Sequence, residues 1–283
     1  MLFMSLNYRI IIGSSEDMSR IEDGIAQLTV TSPPYHDLVV FSEGDEKGSE
    51  NDLSRIKSQD EFFERISKVW KECYRITKYG GYLACEFEDI PTGGRTYGYP
   101  REICLVGPMI ESIESAGFHL ISRWFWRKFS TGAVLSKFQY TLHSHLTSSD
   151  PRAIANVAYI LVFKKGRGGR PEKLDFTKKE WTLWCDGLWR IENPSGGDEG
   201  LASGAIFPDE LVRRLIKIYS SPYDTVLDPF LGTGTTMKVA FEQDRSCIGY
   251  EALARMLPFI KKKVGYRNTK LFSKVEWSVY ETY

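Results

Sequence analysis

At 283 residues with 42% hydrophobic content, the chain suits one large α/β domain with insertions and is too apolar for general disorder. Its 37 basic and 37 acidic residues cancel, so a nucleic-acid partner would need a local basic footprint. Five scattered cysteines without a CxxC spacing exclude a disulfide framework and a zinc knuckle, and no apolar run approaches the ~20 residues of a membrane helix.

Tyr8–Gly13 (YRIIIG) is a β-branched run ending in Gly13-Ser14-Ser15, a buried strand feeding a turn. Gln27–Thr31 is a second strand, stopped by Ser32-Pro33-Pro34 because two prolines end ladder pairing. Asp37–Ser58 is polar and reads as a loop. Asp60–Lys78 places Phe62, Phe63, Ile66, Val69, Trp70, Tyr74 and Ile76 at mostly helical spacing, closed by Gly80-Gly81. Tyr82–Phe87 is the next strand, Ile90–Pro100 a loop, Glu102–Ala116 a helix and Phe118–Arg127 a long strand. Residues 129–156 read as irregular, and Val157–Phe163 as a strand. Residues 166–203 show no periodicity. Pro208–Tyr219 is helical, Thr225–Asp228 a strand, Thr236–Phe241 the start of a helix, Cys247–Tyr250 a strand, and Ala252–Val264 a helix. Strands alternating with helices imply a doubly wound, mostly parallel sheet.

Two elements carry chemistry. In Asp228-Pro229-Phe230-Leu231-Gly232-Thr233-Gly234-Thr235-Thr236 a strand ends on an acid, turns through glycines and opens a helix. Glycine lets the backbone approach a ligand, and the helix N-terminus offers free N–H groups to a carboxylate or phosphate. Alone, it is equally an ordinary βα turn. No lysine follows the second glycine, so it is not a P-loop. Glu251, at the end of the following strand, stands where α/β nucleotide folds hold ribose hydroxyls; the alternative is an N-terminal carboxylate for the next helix, and the spacing from the Gly loop favours the ligand role. In Thr31-Ser32-Pro33-Pro34-Tyr35 the prolines fix the backbone and remove two donors, leaving rigid carbonyls and the Ser32 hydroxyl as acceptors for a substrate NH2 group. Tyr35 can stack on the base bearing that amine. In isolation this element reads as a strand-ending turn.

Together the two elements resemble the DNA amino-methyltransferases, whose pattern joins a (D/N/S)PPY motif to a DPFxGSGTT-like motif. Their order here resembles the permuted β-class. Ala205-Ile206-Phe207-Pro208 with Glu210-Leu211, Lys78–Leu83 and Trp126-Arg127-Lys128 are similar to further family elements. Gly13-Ser14 departs from the Gly-Asp of many relatives, and Ser203-Gly204 from a His-Pro. The resemblance implies a circularly permuted, seven-stranded-type Rossmann-like methyltransferase sheet with a small target-recognition insertion. Residues 1–165 would form its catalytic half with the insertion at 129–156, 166–203 a target-recognition or linker region, and 204–283 the cofactor-binding half. It implies S-adenosyl-L-methionine as cofactor, held by Phe207, Pro208, Asp228, Pro229, Phe230, Gly232, Thr233, Gly234, Thr235, Thr236 and Glu251. Ser32, Pro33, Pro34 and Tyr35 would be catalytic.

The implied partner is double-stranded DNA with the target base flipped out, in a restriction–modification setting with a companion endonuclease. The enzyme would be a cytoplasmic monomer or homodimer that meets no membrane. Ser before Pro-Pro-Tyr is commonest in the family's N4-cytosine enzymes; N6-adenine is the alternative, with a non-catalytic DNA-binding module or a protein-amide methyltransferase behind it. No Pro-Cys occurs, which disfavours covalent cytosine-C5 chemistry. His143 and His145 read as polar loop residues rather than metal ligands. The clusters Arg123/Arg127/Lys128, Lys164/Lys165/Arg167/Arg170 and Arg213/Arg214/Lys217 are candidate basic footprints, and Arg167, Arg170, Lys173 and Lys178 candidate phosphate contacts.

Overall fold

Strands that are apolar on both faces need helices on both sides of their sheet, and this chain supplies them. The computed structural model describes residues 4–35, 48–92, 101–128, 157–169, 171–192, 207–270 and 273–282. The strands are β1 (Met4–Gly13), β2 (Ala26–Thr31), β3 (Thr77–Phe87), β4 (Ile90–Thr92), β5 (Arg101–Ile103), β6 (His119–Arg127), β7 (Val157–Lys164), β8 (Leu188–Arg190), β9 (Thr225–Asp228), β10 (Ser246–Glu251) and β11 (Ser273–Thr282). The helices are α1 (Gln59–Ile76), α2 (Val106–Ser115), α3 (Lys178–Trp184), α4 (Asp209–Tyr219), α5 (Thr235–Glu242) and α6 (Leu257–Val264).

Nine strands form the main sheet in the order β11-β1-β10-β9-β2-β3-β7-β6-β8, and β4 and β5 form a separate hairpin. Every neighbour pairs in parallel except around β7, which is antiparallel to β3 and β6. The expected seven strands run from β1 to β6 in that order, with β11 and β8 added at the edges. Side chains alternate between two cores. Leu28, Val30, Tyr82, Ala84 and Val226 pack with α4, α5 and α6, whereas Leu83, Cys85, Phe87, Leu227 and Ile248 pack with α1 and α2. Each fully buried Leu, Val, Ile or Phe among them contributes about 1.5–3 kcal/mol.

α1 buries Phe62, Ile66, Val69, Trp70, Cys73 and Ile76 on one face and is capped by the Ser58 hydroxyl. It ends at Ile76, earlier than its glycines suggest, because Thr77 Oγ1 turns back onto the Cys73 carbonyl (2.6 Å) and Lys165 Nζ takes the Tyr74 and Thr77 carbonyls. Residues 48–58 are two 3-10 turns rather than open loop, since Leu53 and Ile56 are buried. β11 was not anticipated, although Val275, Trp277 and Val279 alternate with polar residues along it and pack against the core.

Residues 171–192, aperiodic in sequence, fold onto the β6 edge through indoles with buried rings and satisfied N–H groups. Trp189 donates to the Trp184 carbonyl (2.8 Å) and Trp126 to the Ile191 carbonyl (2.7 Å). A fully buried Arg245 fastens this segment to the body. Its guanidinium makes a two-pronged pair with Asp175 (2.7 and 3.1 Å) and donates to Ser220 Oγ and the Ser220 and Gln243 carbonyls. Residues 129–156, with His143 and His145, lie outside the described residues, as do Arg170, Ala205 and Ile206. No helix among the described residues is long and apolar enough to cross a membrane.

Candidate active site

The helix after β9 packs on one face of the sheet and the helix after β2 on the other. The crevice between the carboxyl ends of these adjacent strands is therefore a topological switch point, where open α/β sheets bind ligands. Both sequence elements meet there. Thr31, the last residue of β2, donates through Oγ1 to Asp228 Oδ1 at 2.9 Å, a buried link across 197 residues of chain.

On the β9 side, Asp228 is 3% exposed and also accepts from the Phe230 N–H at 3.1 Å. Burial pushes its carboxyl up to about 6, against the hydrogen bonds that pull it down. Pro229 is buried, and Phe230 turns its ring edge toward Trp70 of α1. Gly232 and Gly234 carry φ of 55° and 93°, a left-handed turn that side chains disfavour. Beside Gly232 the space is open, whereas Gly234 backs onto Val264 and Ile260. Thr233, Thr235 and Thr236 are buried where α5 begins, and Thr235 Oγ1 has no hydrogen-bond partner among the described residues.

Glu251 closes this side from the end of β10. One carboxylate oxygen accepts from the Gly232 N–H and the other from the Leu253 N–H, both at 2.9 Å. The carboxylate therefore shapes the loop and the next turn, and each oxygen keeps a further lone pair. Burial lifts its carboxyl to about 7, with the negative charges of Asp52 and Asp228 adding to the effect. Pro208 caps α4 with Phe207 packed on the core, and Asp209 ties the helix to Lys238 of α5. At the end of β1, Ser14 Oγ hydrogen-bonds Glu16, and Glu16 pairs with Arg65 of α1.

S-adenosyl-L-methionine would bring a sulfonium, an ammonium and a ribose diol. Asp228 and Glu251 are held by hydrogen bonds rather than by a cation among the described residues, the space beside Gly232 is free, and Thr235 presents an unused hydroxyl at a helix start. These residues fit that cofactor.

On the β2 side, Pro33 is buried and Ser32 Oγ donates to Glu86 Oε2 at 2.7 Å. Register explains the contact: Thr31 sits opposite Cys85, so Ser32 faces Glu86 of β3. Glu86 is 3% exposed. Its other oxygen lies 3.4 Å from Lys128 Nζ, which also hydrogen-bonds Glu88 at 2.8 Å. Tyr35 stacks flat on Phe87, with ring centres 4.6 Å apart and planes within 1°. One face of the expected base platform is thus backed by protein. Burial, and then the charge of Glu86, holds the Tyr35 hydroxyl well above its ordinary value, so it stays neutral.

Glu86 was not singled out from the sequence, although one acid inside the apolar run YLACEF, on the strand paired with β2, is a usable signal. The basic clusters are largely consumed internally. Arg213 and Arg214 pair with Glu210, Lys217 with Glu180, and Lys164 with the Gly169 carbonyl. Lys165 exchanges backbone hydrogen bonds with Gly80 and Gly81, and the Arg167 N–H donates to the Tyr79 hydroxyl, so this stretch lies at the end of β3 away from Ser32. No cluster of metal-binding side chains occurs among the described residues.

An open α/β sheet with an acid–glycine turn and a Ser-Pro-Pro-Tyr turn at its switch point defines the class of Rossmann-like methyltransferases. Residues 26–262 match the DNA methylase family model of N6 and N4 methyltransferases, and the chain belongs to this family. It is 30% identical over 295 aligned positions to the type II methyltransferase M.MjaI of Methanocaldococcus jannaschii, covering 95% of this chain and 94% of that one. It is also 30% identical to the type II methyltransferase M.MthZI of Methanothermobacter thermautotrophicus, covering 88% of this chain and 74% of that one. TTHA0409 of Thermus thermophilus, solved in complex with S-adenosyl-L-methionine, shares the fold at a TM-score of 0.73 and 24% identity, covering 98% of this chain and 100% of that one. The cytosine-N4-specific PvuII DNA methyltransferase does so at a TM-score of 0.63 and 18% identity, covering 97% and 99%.

Proposed function

We propose that this chain is a site-specific DNA methyltransferase that places a methyl group on the exocyclic N4 of a flipped-out cytosine in duplex DNA. S-adenosyl-L-methionine supplies the methyl from a sulfonium centre. Asp228, Gly232–Thr236 and Glu251 would hold it, with Phe207 and Pro208 along its side. The observation that carries the reading is the Ser32–Glu86 hydrogen bond, set beside two prolines and joined through Thr31 to Asp228.

An exocyclic amine is a poor nucleophile because its lone pair is conjugated with the ring. The Ser32 hydroxyl, with its own proton committed to Glu86, turns its lone pairs toward the amine N–H. After transfer, the nitrogen carries a positive charge and must shed a proton. That proton passes to Ser32 Oγ while the Ser32 proton passes to Glu86 Oε2, so the serine is restored and Glu86 becomes a neutral acid. Tyr35, backed by Phe87, offers a ring against which the extruded base can stack. Holding base and donor in line supplies much of the rate.

Ser32 supports cytosine over adenine through the family resemblance. Target recognition is assigned to 129–156 and 166–203, and the position of Arg127, Val157 and Arg190 at strand ends on the Ser32 side supports this. The names of the relatives, type II methyltransferases, support a restriction–modification setting; a companion endonuclease and a cytoplasmic location belong to the same proposal. The test is incubation with methyl-labelled cofactor and duplex DNA, with tRNA and protein as controls, followed by nucleoside analysis. N4-methylcytosine is the expected product. N6-methyladenine alone would overturn the cytosine assignment, and label in tRNA or protein only would overturn the DNA substrate.

A further inference from the structure

Lys128 follows β6 on the Ser32 side of the sheet. Its side chain is 13% exposed, that of Glu86 4% and that of Glu88 30%. The ammonium lies 2.8 Å from Glu88 Oε1 and 3.4 Å from Glu86 Oε1, and 5.0 Å from the centre of the Trp126 ring. Glu86 therefore divides its two oxygens, one receiving the Ser32 proton and the other facing a cation. Burial alone would push the Lys128 ammonium toward neutrality; Glu86 and Glu88 outweigh it and hold the group above its ordinary value.

Among the described residues, the other titratable groups beside Glu86 offer it no positive charge. Cys85 and Tyr35 are kept protonated by burial, and Glu88 and Asp89 follow on the same stretch. Across the strand pair β7 presents Ile160. Without Lys128 the carboxylate beneath the catalytic serine would be a buried charge beside other charges of its own sign, which is costly.

We propose that Lys128 is a positioning residue of the methyl-transfer reaction, its ammonium holding Glu86 as the anion that accepts the Ser32 proton. This rests on the amine-methylation reading above. In the relay an N–H bond of the methylated amine and the Ser32 O–H bond break, while new O–H bonds form on Ser32 and Glu86. Glu86 then returns its proton to solvent. Lys128 gives up no proton; its charge sets how readily Glu86 stays ionised.

The test is the pH profile of kcat on duplex DNA for wild type, Lys128→Met, Lys128→Arg and Glu88→Gln, with the titration of Glu86 followed by carbon NMR on glutamate-labelled protein and assigned through Glu86→Gln. Lys128→Met is expected to lower kcat at pH 7 about tenfold or more and to move its acidic limb up by about 1–3 pH units. Cofactor and DNA affinities should change little. Lys128→Arg should restore the limb. Glu88→Gln, where Lys128 serves Glu86 alone, should move it down, and this variant keeps the test open if Lys128→Met does not fold. A Glu86 titration and kcat profile unmoved by these changes would overturn the role of Lys128 while leaving methyl transfer intact. A wild-type chain that binds cofactor and methylates no nucleic acid would overturn the methyl-transfer reading itself, whatever the NMR titration shows.

Discussion

Replacing Asp228 by Asn tests how the cofactor side is built. The carboxyl sits at about 6 in the folded protein, against about 3.9 in an unfolded chain. A group raised on folding favours the native state most when both states are protonated, below about pH 4, and that contribution is lost as pH rises through about 6. The gap of about two pH units, at 1.36 kcal/mol each, makes the lost contribution about 3 kcal/mol. Glu251, raised to about 7, adds a loss of the same sign over a slightly higher window. The Asn side-chain oxygen can still accept from Thr31 and the Phe230 N–H, while its NH2 is a new buried donor that costs about 1 kcal/mol or more at every pH. The pH dependence of the difference between variant and wild type is therefore the informative quantity. Urea unfolding of the cofactor-free proteins at pH 4.5 and pH 8 should find D228N gaining about 2 kcal/mol relative to wild type between the two, since pH 4.5 already lies above the unfolded carboxyl's value. Equal displacements of D228N from wild type at both pH values would refute the reasoning.

Three further outcomes are expected. Arg245→Met strands the Asp175 carboxylate and two carbonyls; because Asp175 is 24% exposed and can hydrate, the cost should sit near the lower end of the 3–5 kcal/mol range, about 3. Chemical unfolding would measure it, and adding Asp175→Leu should recover part of the loss. Glu86→Gln keeps an acceptor for Ser32 but removes the proton sink, so single-turnover rates should fall about a hundredfold or more while cofactor affinity holds. Gly13→Ala would place a Cβ 2.0 Å from Thr282 Oγ1 and 2.4 Å from its carbonyl, so hydrogen exchange should speed up along Ser273–Thr282 before the rest of the sheet responds.

What could be read from the sequence follows from how local each signal is. β2, β9 and β10 are short apolar runs ended by proline or by an acid, and the amphipathic faces of α1 and α4 repeat at helical spacing, so these elements stand near their expected limits. β11 is harder to see because Lys274, Glu276 and Ser278, on the face opposite Val275, Trp277 and Val279, leave it without a continuous apolar run. The small α3–β8 unit is held by distant partners, Arg245 among them, that no window of neighbours contains. The same limit applied to the site. Ser32 and Asp228 announce themselves through turn chemistry, whereas Glu86 matters only because β2 and β3 pair in a register that sets it beside Ser32. Charge was the least legible property. Arg213, Arg214 and Lys217 look like a basic footprint until their partners Glu210 and Glu180 are placed beside them.

The pairing of β1 with β11 has a temporal side. Thr282 reaches the Ile12 carbonyl across 270 residues of chain, and Thr31 reaches Asp228 across 197. At ribosomal speeds the first of these intervals lasts about 15–50 s. Until it has passed, β1 lacks its outer neighbour, and until the shorter one has passed the Ser-Pro-Pro-Tyr turn at the end of β2 lacks Asp228. On the proposal above, a nascent chain of this kind carries the Ser-Pro-Pro-Tyr turn early and the acid–glycine turn late, so the two halves of the site meet only after most of the chain has been made.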